Sequence, residues 1–145
     1  MKIGRWIFAT PVSAFGPSVG LLLFRVVFGG FMLLGHGWGK LMSFGEAAAK
    51  FPDPLHIGNE ASMICAILGE VGCAALVMLG LATRLAVLPL VFTMAVAALL
   101  IHGSDPLFMG GGASQEPALI YLTAFGLLFF TGAGCFSLDA LIKRG

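Results

Sequence analysis

The chain has 145 residues, of which 59% are hydrophobic and only 10% charged, and its mean hydropathy is +1.01. Soluble domains carry about 25% charged residues, so the composition excludes an ordinary water-soluble enzyme and points to a single compact domain in a bilayer. A net charge of +1 without any basic run excludes a nucleic-acid partner.

The first residues, MKIGRWIFATPVSAFGPSVG, hold Lys2 and Arg5 before a short apolar run that Thr10 and Pro11 interrupt. That run is too short for a signal-peptide core. It reads as a retained interfacial segment with Trp6 and Phe8 at headgroup level. Pro17 and Ser18 then open a first helix over 18–38, whose one full charge is Arg25. Residues 39–58 carry Lys40, Glu46, Lys50 and Asp53 with Pro52 and Pro54, which predicts a loop with a short interfacial helix over 43–51.

The second helix, 60–81, is long enough to cross a bilayer and has Glu70 near its middle. Ala61, Cys65, Gly69 and Cys73 fall at every fourth position and predict a small-residue ridge for close helix approach. A tight link at 82–84 makes the third helix, 85–102, its antiparallel neighbour, with Pro89 tolerated in the first turns. A glycine-rich loop, GSDPLFMGGGASQ, leads to a fourth helix over 116–133 that opens with Glu116 and Pro117. Asp139, Lys143 and Arg144 close the chain on a short amphipathic tail. Cys65, Cys73 and Cys135 form no CxxC pair and read as small membrane residues.

The expected fold class is thus all-α, a polytopic four-helix membrane bundle forming one domain over 1–145. Four crossings put both termini on one side. Lys2, Arg5, Arg84, Lys143 and Arg144 lie on that side, against Lys40 and Lys50 on the other. The positive-inside rule then places both termini in the cytoplasm of a bacterial inner membrane.

Two groups of polar residues need a reason to be there. Arg25 and Glu70 lie in apolar crossings at similar expected depth, so an Arg25–Glu70 pair inside the bundle resolves both charges. Such a pair either fixes helix register or lines a ligand or proton site. At the outer ends, His36, Glu60, His102 and Glu116 recur as helix-end residues of two similar hairpins. They read as hydrogen-bonded helix ends, as a polar-substrate or quinone-headgroup site, or as ligands to a divalent ion. Their spacing carries no metal motif, so no metal is assigned. His56, in a proline-rich loop, reads as solvent-exposed.

The stretch LLLFRVVFGGFMLLGHGWGKL around Arg25, Glu70 followed by GLATRLA at 80–86, and the ending TGAGCFSLDAL at 131–141 resemble the DoxX family of small four-helix membrane proteins. The resemblance runs from about Val19 to Leu141. Ala133, Cys135 and Phe136 stand where the family's usual ending has proline, arginine and tyrosine. The family was named for a subunit associated with a terminal quinol oxidase and thiosulfate:quinone oxidoreduction, and other members act in assembly or trafficking. The resemblance implies a membrane subunit that supports redox chemistry, with quinone as cofactor and a redox enzyme subunit as partner. A membrane scaffold and a small-solute or proton carrier are the alternatives. The Gly29-Gly30 and Gly69 surfaces suit a homo-oligomer or packing within one bundle equally. No haem pair, flavin motif or dithiol marks an independent catalyst.

Overall fold

The structure, a computed structural model, describes residues 14–144; the expected interfacial segment at Trp6 and Phe8 lies outside the described residues. Helix α1 spans Phe15–Met42, α2 Asn59–Leu79 and α3 Thr83–Ile101, and each is long and apolar enough to cross a membrane. Helix α4, Glu116–Thr131, is apolar but has only 16 residues. At 1.5 Å per residue it is about 24 Å long, against a hydrocarbon core of about 30 Å. A terminal helix α5 covers Leu138–Arg144. No strand occurs among the described residues.

Apolar side chains line both the inside and the outside. Met32, Val77, Val87, Leu90, Phe125 and Leu128 are fully buried or nearly so. Phe31, Leu99 and Phe130 stand 64%, 67% and 74% exposed. So much large apolar surface on every helix suits a hydrocarbon solvent and not water.

The expected boundaries shift mainly at α1, which starts three residues earlier and runs to Met42, beyond the 38 expected. The single turn Phe44–Ala47 and a tighter turn Ala48–Lys50 follow, within the interfacial helix expected over 43–51. The link between α2 and α3 is as short as expected. Gly80 (φ 66°) and Ala82 (φ 45°) both take left-handed backbone to make it.

Close approach sets the helix register. A Cβ on Gly29 would lie 2.5 Å from Met78 Cγ, and one on Gly37 would lie 2.9 Å from the Glu70 carbonyl oxygen. One on Gly69 would lie 3.0 Å from Thr93 Oγ1. Gly29 and Gly37 therefore serve α1 against α2, and Gly69 serves α2 against α3, all within one bundle. The expected ridge is only partly formed. Gly69 is buried, whereas Cys65 is exposed and Cys73 half-buried. The reason is local: Leu68–Cys73 winds as a π-helix, whose wider turns break the every-fourth register that a continuous α-helix would keep.

Arg25 does not pair with Glu70. It is fully buried, and its Nη1 donates to the carbonyls of Val77 (3.1 Å) and Met78 (3.0 Å). Its Nη2 donates to the carbonyl of Phe136 at 2.6 Å. The guanidinium thus closes the C-terminal end of α2, where carbonyls lack helical partners and the dipole favours a cation. Asp139 does the converse at the start of α3. Its carboxylate accepts from Ala82 N (2.6 Å) and Thr83 N (3.0 Å), and its own N–H donates to Gly80 O at 2.8 Å. The pairing expectation assumed that α1 and α2 end flush. They do not: Gly29 sits opposite Ala74 and Met78, so Arg25 lies level with the end of α2. The chain after α4 fills the stagger, with the Phe15 and Phe136 rings 5.7 Å apart and Cys135 N donating to Ser18 Oγ at 3.3 Å.

Candidate functional site

Because α1 continues past Trp38, Lys40 remains on the helix and reaches Glu70. Its Nζ lies 2.5 Å from Glu70 Oε2, with the Glu70 side chain 5% exposed and that of Lys40 28%. This pair, and not Arg25, neutralises the intramembrane carboxylate. Gly37 is the local cause. With no Cβ it lets α1 touch the backbone of Glu70, which puts Lys40, one turn on, within reach of the carboxylate.

The pair forms one wall of a cavity of about 250 Å³ between α2, α3 and the loop after α1. Most of the lining is apolar, including Phe51, Leu55, Ile57, Phe92 and Val96. Ser62, Cys65 and Thr93 add small polar groups, and His102 also lines the cavity. Around this level all three long helices change pitch: Leu33–Gly37 in α1, Leu68–Cys73 in α2 and Ala97–Ile101 in α3 are π-helical. Such insertions recur at functional sites because they turn side chains off the regular helical faces.

Asp53 holds the loop wall in place. Its carboxylate accepts from Ser62 Oγ (2.7 Å), Gly58 N (2.8 Å) and Ile57 N (3.0 Å). The Ser62 hydroxyl, helped by the two backbone N–H groups and by His56, draws its pKa below the ordinary carboxylate value. A depressed pKa means that the bonds favour folding above the unfolded value of about 3.9 and are lost as pH falls below it. Acidification through that range, or Asp53→Ala at neutral pH, is expected to speed amide exchange across 53–58 while the helices stay protected. Uniform exchange change along the chain would show that the loop is not a separate unit.

The four residues expected to form an outer polar cluster do not converge. His36 packs its ring edge-on to Tyr121 at 5.3 Å. His102 Nδ1 shares a hydrogen bond with Asp105 Oδ2 at 2.8 Å. Glu116 Oε2 accepts from Met109 N at 2.8 Å, and Glu60 is exposed at the start of α2. Among the described residues, no three His, Cys, Asp or Glu side chains gather as metal ligands. Of the four, His102 belongs to the cavity and Glu116 to a separate groove between α1 and α4. Lys40 is the residue that sequence reasoning left in a loop.

The protein-family comparison matches residues 20–103, described as DoxX. The match takes in Arg25, Lys40 and Glu70 and stops before the ending at 131–141. No curated protein and no solved structure matches the chain. Because the matched residues make up more than half of it, the chain belongs to the DoxX family.

Proposed function

We propose that this DoxX-family membrane protein binds the headgroup of a quinone in the cavity beside Lys40 and Glu70, and so supports the redox chemistry of an associated oxidoreductase. The observation that carries the reading is an opposite-charge pair, with Glu70 buried and Lys40 part-buried, on the wall of a mostly apolar cavity. An ammonium donates to a quinone carbonyl, and a carboxylate accepts from the hydroxyl of the reduced form, so the two groups suit both redox states. The volume suits a substituted ring and little more. An isoprenoid tail would leave past Phe92, which is 59% exposed on the outside of α3.

In this reading α4 completes a fourth crossing and both termini lie in the cytoplasm of a bacterial inner membrane. The supporting facts are that Phe15 and Phe136 meet at one end of the bundle, and that Arg84, Lys143 and Arg144 belong to that end. Lys40 and the cavity then face the outer side. In this reading an associated oxidoreductase subunit exchanges electrons with the bound quinone.

Mass spectrometry of small molecules retained by protein purified in mild detergent is the direct test. A quinone is expected at up to one per chain, displaced by a soluble short-tail quinone analogue. Preparations free of quinone that also fail to take up the analogue would overturn the reading.

A further inference from the structure

We propose that the groove between α1 and α4 holds one acyl chain of a phospholipid whose primary-amine headgroup sits on Glu116. The groove, about 600 Å³, runs from Glu116 along α4 to Leu127 and is walled on the other side by Phe24 and Phe28 of α1. Eleven residues of helix cover about 16 Å, close to half of a hydrocarbon core about 30 Å thick. The groove is thus about one leaflet deep.

Its polar groups do not ask for a polar occupant inside. Thr123 Oγ1 already donates to Leu119 O at 2.9 Å. Glu116 stands at the mouth, with Oε2 on Met109 N, and a carboxylate keeps acceptor capacity beyond one such bond. That charge complements an ammonium bearing N–H donors and repels an anionic headgroup. Two features disfavour a partner helix as occupant. The walls are bulky, whereas close helix pairs use small residues. Leu107 and Phe108 also line the groove at the Glu116 end, where a crossing helix would need to continue. Both are exposed to the surroundings, at 49% and 72%.

Native mass spectrometry of the full chain in detergent, supplied with equal phosphatidylethanolamine and phosphatidylglycerol, tests this. The wild type is expected to retain one phosphatidylethanolamine over phosphatidylglycerol by at least about tenfold, the scale of one charge-assisted hydrogen bond. Glu116→Gln, which keeps an acceptor for Met109 N, should retain lipid but lose the preference. Thr123→Trp, which fills the groove from an exposed position, should retain neither; Leu127→Trp serves if that variant fails to fold. Equal retention of both lipids by the wild type, or undiminished retention by a folded tryptophan variant, would overturn the proposal. Loss of quinone binding leaves these outcomes unchanged, because the two sites share no lining residue.

Discussion

Arg25→Met will destabilise the detergent-solubilised protein by on the order of 3–5 kcal/mol. Three carbonyls lose a charged donor together, the buried one of Val77 and the part-buried ones of Met78 and Phe136. Asp139, which feels the Arg25 charge, keeps its bonds to Ala82 N and Thr83 N but loses its cationic neighbour. Arg25→Lys will recover only part of the loss, since one ammonium lacks the planar fork that reaches two helix-end carbonyls and the returning chain at once. Thermal unfolding in detergent measures the effect. Proteolysis localises it, because residues 132–144 should become cleavable first. Losses from Arg25→Met and Glu70→Gln should add, as the two groups sit in separate networks. A strongly non-additive double variant would restore the abandoned Arg25–Glu70 pair.

The error over Arg25 shows where sequence reasoning runs out in a membrane chain. Hydropathy and the short link expected at 82–84 located the three long helices, because burial in lipid and loop length are both local properties. Depth was then counted from helix ends assumed to be flush, which put Arg25 within side-chain reach of Glu70. The register is instead set by Gly29 and Gly37 against α2, contacts between residues 33 (Gly37–Glu70) and 49 (Gly29–Met78) positions apart that no short window of sequence contains. The acceptors of Arg25 are backbone carbonyls, which leave no trace in side-chain composition. Asp139 capping α3 is of the same kind, a carboxylate 56 residues from the Thr83 N–H that it accepts.

Lys40 was legible in principle. It follows His36 by one turn, and the predicted helix needed only to continue through Gly39 to carry it. The expected end at Trp38 falls between two glycines, Gly37 and Gly39, and glycine is costly inside a helix in water. In a membrane helix such residues are tolerated, and Gly37 is there to let α2 approach. The outer cluster failed for a different reason. Equivalent positions in two hairpins suggested convergence, yet His102 and Glu116 bond to the nearby loop residues Asp105 and Met109, and His36 packs on Tyr121 of α4.

Removing Lys40 and Glu70 together will separate stability from function at the cavity. Lys40→Met alone leaves Glu70, with its side chain 5% exposed, as an unpaired carboxylate in low dielectric. That costs up to about 3–5 kcal/mol unless the group takes a proton. Glu70→Gln alone costs less, because Lys40 is 28% exposed and its long stem can carry the ammonium out to water. The double Lys40→Met, Glu70→Met variant should return to near wild-type stability, since apolar pairs often replace buried ion pairs without loss. It should nevertheless retain at least about tenfold less quinone, having lost both a donor and an acceptor for the ring oxygens. Thermal midpoints and bound quinone per chain, measured on the same preparations, give the two readouts. A stable double variant that keeps its quinone would reduce the pair to a register device joining α1 to α2. A quinone-free double variant with wild-type stability would make Lys40 and Glu70 the headgroup contacts of the site.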